Sequence, residues 1–111
     1  MLFRSGTLTQ NSDARLKENI IPLTSTLKNI QQLNGYTYNW KDKARDSSLQ
    51  IGVLAQELQK VYPQLVKQDE KGTLSVNYIG LVPVLIESVK EQQKQIEELK
   101  AAMELIKQKI K

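Results

Sequence analysis

Val82-Pro83-Val84-Leu85-Ile86-Glu87-Ser88-Val89-Lys90-Glu91-Gln92-Gln93-Lys94-Gln95-Ile96-Glu97-Glu98-Leu99-Lys100-Ala101-Ala102-Met103-Glu104-Leu105-Ile106-Lys107-Gln108-Lys109-Ile110 decides the fold. Within this stretch Val82, Leu85, Val89, Gln92, Ile96, Leu99, Met103, Ile106 and Ile110 recur at alternating steps of three and four. That spacing is the a/d seam of a coiled coil, held for about four heptads with one polar member, Gln92. Gln95, Lys100 and Lys107 flank the seam as coiled-coil edge residues do. The helix is expected to run from Ile79 almost to the C-terminus. Pro83 falls in its first turn, where a missing N–H is tolerated. A single helix cannot bury such a seam, so the sequence predicts partner helices. A lone polar seam residue sets register and strand number at some cost in stability.

The residues before the helix read as short mixed elements. Leu65-Val66 and Leu74-Ser75-Val76-Asn77-Tyr78 predict a hairpin turning at Asp69-Glu70-Lys71-Gly72, with Gly72 supplying the unusual backbone angle. Ala55, Leu58, Val61 and Tyr62 make one face of a helix that Pro63 ends. Ile51-Gly52-Val53-Leu54 reads as a short apolar strand. Tyr36-Thr37-Tyr38-Asn39-Trp40 is the clearest strand, with its three aromatic residues on one face directed to the core. A charged loop, Lys41 to Ser48, separates these two strands. Leu23, Leu27, Ile30 and Leu33 fall at helical spacing, with Thr24 or Ser25 as the cap and Asn34-Gly35 as a stop suited to positive φ. Pro22 breaks the chain before that helix. The expected fold is therefore α+β. A head over residues 12–80 is followed by a C-terminal coiled-coil helix over 81–111. Residues 1–11 are a polar lead-in or the stump of an upstream domain.

Composition narrows the function. The chain has 111 residues, 40% hydrophobic and 5% aromatic, which supports one small domain with a modest core. It has no Cys and no His, which removes disulfides and Cys- or His-based zinc sites; no metal or other cofactor is expected. No apolar run is long enough for a membrane span or a signal peptide. The net charge is +4. The cations are dispersed, and near the C-terminus Lys alternates with Glu and Gln, so a solvated surface is expected rather than a nucleic-acid interface. The segment before the seam is mixed rather than a basic helix, which argues against a basic coiled-coil DNA-binding protein.

One pattern suggests chemistry. Asn11-Ser12-Asp13-Ala14-Arg15-Leu16-Lys17 places a hydroxyl five residues before an amine. A Ser with a Lys as its base makes a nucleophile without histidine, and here Lys is the available strong base. Ser12-Asp13 equally offers N-cap chemistry for a short helical turn. A capping box asks for Glu or Gln three residues after its Ser, and Arg15 stands there instead. An ordinary lysine is protonated at neutral pH, so a Lys base needs burial or a nearby cation. Arg15 is the candidate cation, and assembly of the oligomer is expected to supply the burial.

Three segments in this order resemble one family. They are Ser12-Asp13-Ala14-Arg15-Leu16-Lys17-Glu18-Asn19-Ile20, then Gly52-Val53-Leu54-Ala55-Gln56-Glu57-Leu58 with Val61-Tyr62-Pro63, then Val76-Asn77-Tyr78-Ile79-Gly80-Leu81-Val82-Pro83-Val84-Leu85-Ile86. Together they resemble the intramolecular chaperone domain of phage tailspikes and tail fibres, the peptidase S74 domain. That domain is best known from endosialidases and occurs also in bacterial surface proteins and the myelin regulatory factor. The resemblance covers about 100 residues, from Ser12 to the end. It implies a homotrimer at the C-terminus of a fibrous protein. Such a domain helps the upstream passenger fold and then cuts itself off before the motif Ser. On this implication Ser12 is the nucleophile, Lys17 the general base and Asn11–Ser12 the scissile bond. Asp13 and Arg15 are supporting residues, and Leu16 matches the motif as well. The setting implied is the host cytoplasm during phage assembly, or the precursor of a bacterial surface protein, with release from the mature fibre. Some members are discussed with an additional His; this chain has none. Cleavage by Ser12 on its own chain and on a neighbouring chain both remain open. A rival is a trimerisation and folding module without cleavage, which the seam supports independently of any family.

Overall fold

The computed structural model describes Thr7 and residues 9–110. Most of the predicted lead-in, with Leu2, Phe3 and Leu8, lies outside the described residues, as does Lys111. The elements in chain order are a 3₁₀ turn at Ala14–Leu16, α1 at Thr26–Ile30, β1 at Tyr36–Tyr38 and β2 at Gln50–Gly52. They continue with α2 at Ala55–Val61, a second 3₁₀ turn at Pro63–Leu65, β3 at Val66–Gln68, β4 at Leu74–Val76 and α3 at Leu81–Ile110. A small mixed α+β head on a long C-terminal helix is the architecture that the sequence predicts.

The strands form two separate antiparallel pairs. In the first, Tyr36 stands opposite Gly52 and Tyr38 opposite Gln50. Gly52 is fixed by close approach: a Cβ there would strike the Tyr78 hydroxyl and the Tyr38 ring. The Tyr78 hydroxyl accepts the Val53 N–H at 3.0 Å and so ties the end of β2 to the segment entering α3. In the second pair Val66 stands opposite Val76. Its turn is the predicted one. The Asp69 carboxylate accepts from the Lys71 and Thr73 amides at 2.8 and 2.9 Å, and Gly72 has φ +87°.

The core lies where α2 meets the β3–β4 pair and the first turns of α3. Leu58, Tyr62 and Val84 are buried there, with Leu33, Val61, Leu65, Val66, Val76 and Leu81 half-buried around them. Of the helical face expected from Ala55, Leu58, Val61 and Tyr62, the last three pack in this core, and α2 ends at Val61, before Pro63. α1 lies along α3. Small side chains allow this approach: Thr26 and Ser88 are buried, and the Ser88 hydroxyl donates to the Val84 carbonyl at 2.9 Å. The Tyr62 hydroxyl accepts from the Asn29 amide at 3.2 Å and links α1 to α2.

Local expectations fail where a tertiary partner takes over. α1 is shorter than its apolar spacing suggests, and Leu23 lies outside it. Its N-cap residue is Ser25, one of the two expected, but the side chain does not do the capping. Ser25 sits in the left-handed region at φ 57° with no side-chain cap bond. Glu91, on α3, accepts the Leu27 N–H at 3.0 Å instead. Gly35 is not in the left-handed region; Gly72 is the positive-φ glycine of the described residues. The aromatic face of β1 is only half-covered. Trp40 retains 37% exposure, held edge-on by Tyr38 at 5.1 Å and by the Arg45 guanidinium 4.5 Å from its ring. Ile51 is 82% exposed, so the apolar reading of β2 does not correspond to burial in this chain.

Every residue of α3 from Gln92 to Ile110 is exposed. Along the seam the apolar side chains range from 45% exposed at Ile96 to 76% at Ile110. The whole chain exposes 10052 Å². A monomeric folded protein of its mass, 12.7 kDa, exposes roughly 6,200 Å² by area–mass scaling. Its radius of gyration is 19.8 Å, against about 13 Å for a compact domain of this length.

Candidate functional site: the Ser12–Lys17 turn

The first 3₁₀ turn reverses the chain just after Ser12. Asp13 starts it in extended conformation, and its side chain accepts the Arg15 N–H at 2.9 Å. The Leu16 N–H donates to the Asp13 carbonyl at 3.0 Å and the Lys17 N–H to the Ala14 carbonyl at 3.1 Å. Lys17 then leaves in extended conformation. The turn folds its last residue back over its start, and the Lys17 Nζ donates to the Ser12 Oγ at 2.8 Å. Of the two readings open for Ser12, capping is taken by Asp13. The Ser12 hydroxyl faces the amine.

Arg15 is paired with Asp13. Its Nη2 and Nε donate to the Asp13 carboxylate at 2.7 and 3.2 Å, while its guanidinium remains 88% exposed. Its charge is paired with the Asp13 carboxylate. The Arg15 side chain, and then its amide, hold the Asp13 carboxyl below the usual aspartate range. The carboxylate in turn raises the titration of the guanidinium. The pair stiffens the turn that presents Ser12 and Lys17.

The surroundings are open. Asn11, Ser12 and Lys17 are exposed. Beyond the turn the chain runs as an arm on which Leu16, Ile20 and Ile21 are 73%, 67% and 80% exposed. Two non-glycine residues in the left-handed region, Asn19 at φ 54° and Ser25 at φ 57°, bracket its apolar part. No group of His, Cys, Asp or Glu among the described residues could hold a metal ion. No helix among them is long and apolar enough to cross a membrane.

Two positioning groups escape a reading by sequence. One is Glu91, which looks like any coiled-coil flank until α1 packs beside it. The other is Glu57, which accepts from the Tyr36 hydroxyl at 2.8 Å and the Asn34 amide at 3.4 Å. That contact raises the titration of the Tyr36 phenol. Neither has a local signal, because each acts across long sequence separation.

Comparison with known proteins agrees with the motifs. The peptidase S74 family, described as the chaperone of endosialidase, matches residues 12–67. The chain is 32% identical over 98 residues to the long tail fiber protein Gp37 of Enterobacteria phage K3, covering 83% of this chain and 8% of that protein. It is 30% identical over 112 aligned residues to Gp37 of Salmonella phage S16, covering 94% of this chain and 15% of that protein. With Gp37 of Enterobacteria phage M1 the identity is 30% over 99 residues, 83% of this chain and 39% of that protein. The chain therefore spans a minor part of the length of the fibre proteins it matches.

Proposed function

The chain belongs to the peptidase S74, chaperone-of-endosialidase family, and from that premise we propose that it is a trimeric folding domain of a phage tail fibre which releases itself by cutting Asn11–Ser12. Residues 12–80 act as the chaperone head and 81–111 as the trimer stalk; residues 1–11 remain with the passenger fibre. The observation that carries the reading is the 2.8 Å contact between Ser12 Oγ and Lys17 Nζ, with Asp13 occupied as the cap. Assembly and cleavage take place in the infected host, before the fibre is mature.

The chemistry follows from the order of the residues. Lys17 as a neutral amine takes the Ser12 hydroxyl proton. Ser12 Oγ attacks the Asn11 carbonyl carbon. Because Ser12 follows the scissile bond, the attack on its own chain closes a five-membered ring. The Asn11–Ser12 C–N bond breaks, the Ser12 nitrogen receives the proton, and an ester links Asn11 to Ser12 Oγ. Water then cleaves the ester, leaving an Asn11 carboxylate and a new N-terminus at Ser12. Backbone N–H groups must steady the oxyanion during both steps. In the single chain Lys17 is exposed, and a lysine acts as a base when its site is desolvated, so the reaction waits for assembly.

The exposed seam also favours a second reading: a trimerisation and folding module that does not cut. Intact mass of the full chain beside its Ser12→Ala variant separates the two. Loss of residues 1–11 from the parent alone supports self-cleavage; full-length masses for both overturn it and leave the folding module.

A further inference from the structure

We propose that the arm Leu16–Ile21 of one protomer docks in an apolar groove on the head of a neighbouring protomer, so that the Ser12–Lys17 turn is completed by a second copy of the chain. The inference rests on the trimeric reading above and names the surface through which assembly reaches the turn.

The arm is built but unpartnered. Leu16, Ile20 and Ile21 point large apolar side chains into solvent. Asn19 takes the left-handed region readily, but at Ser25 it is costly and persists where surroundings impose it, yet the single chain leaves Ile20 and Ile21, between these two residues, mostly in water. The groove, of about 230 Å³, is lined by Ile30, Leu33, Val53, Leu81 and Leu85, with Asn34 at its edge. Leu85 belongs to the seam as well, so the groove continues the seam upward onto the head. The extent of exposure fits: the chain shows roughly 3,800 Å² more than a monomer of its mass, several times the ~800 Å² that a standard interface takes from each partner. The seam alone leaves the arm uncovered. Seating Ile20 and Ile21 in a neighbour's groove removes the exposed residues of both surfaces from water and brings the neighbour's head against Lys17. This desolvates the amine only after assembly.

The chain has no cysteine, so disulfide trapping is clean. In a Ser12→Ala background, Ile21→Cys is placed in one chain and Asn34→Cys in a second, size-tagged chain; the two are co-expressed and oxidised. The expected result is a trimer containing a disulfide between the two chain types, absent when Asn39→Cys replaces Asn34→Cys. A trimer without that disulfide overturns the proposal and leaves the trimeric reading standing. An internal disulfide alone in a chain carrying both cysteines overturns it too, by placing the arm on its own head. A monomeric parent overturns the trimeric reading itself. As an activity readout, Ile20→Asp with Ile21→Asp should slow cleavage of the otherwise unaltered chain at least about tenfold with the trimer retained. Unchanged cleavage contradicts the docking.

Discussion

At the scale of single residues, the division of labour between Ser12 and Asp13 decides what the turn can do. Both are good helix caps, and the sequence leaves the choice open. The carboxylate wins because it accepts the Arg15 amide and guanidinium together. That leaves Ser12 to Lys17. Lys17→Arg keeps an N–H donor beside Ser12 but offers a group that does not give up its proton; cleavage measured by intact mass should fall by at least about a thousandfold while circular dichroism stays unchanged. Asp13→Ala should slow cleavage about fivefold through loss of the cap, with the trimer intact. The Asp13 titration has a definite sign. Its folded value is depressed by Arg15, so its contribution to the turn is present above the ordinary value of 3.8 and lost as pH falls through the lower folded one. Carbon NMR of the Asp13 carboxyl should show a midpoint below 3.8 in the parent and a return toward it in Arg15→Ala.

At the scale of elements, patterns of one period were legible and borrowed contacts were not. The α2 face, the β3–β4 turn and the course of α3 follow from local spacing and turn chemistry, although α3 begins at Leu81 rather than at the expected Ile79. α1 does not. Its last apparent repeat, Leu33, packs as part of the core rather than as helix, and the acceptor for its first-turn Leu27 amide is not the Ser25 side chain but Glu91, 64 residues away. Glu91→Ala should therefore expose the Leu27 amide to faster hydrogen exchange and destabilise the head by about 1 kcal/mol, an effect that a solvent-facing coiled-coil glutamate would lack. Ile51 shows the opposite limit. Its strand is real, but among the described residues no sheet or helix covers the outer face of β2, so its β propensity does not translate into burial. Gln92 is exposed in the single helix and falls on the seam. If the seam is the assembly contact, Gln92→Leu replaces a desolvated amide layer by an apolar one and should raise the melting temperature by several degrees; an unchanged value contradicts a packed seam at that level.

At the scale of the whole molecule, the chain is too open to account for itself alone. Three buried apolar residues, Leu58, Tyr62 and Val84, anchor the head, while the seam and the arm present their apolar surfaces to water. On the proposed trimer the chain gains stability from its copies, so the melting temperature should fall with each tenfold dilution; independence from concentration contradicts an assembled fold. On the proposed function, assembly also gives cleavage its timing: a site left wet in the single chain and desolvated in the proposed trimer would cut only after the passenger's three chains had been brought together.

Native mass spectrometry of the purified full chain tests this account most directly, because one spectrum reads stoichiometry and cleavage together. The account predicts three copies of a chain beginning at Ser12, and three full-length copies for Ser12→Ala. Single chains in the parent, or a parent trimer still carrying residues 1–11, would contradict it: the first removes the assembly, and the second removes the self-cleavage.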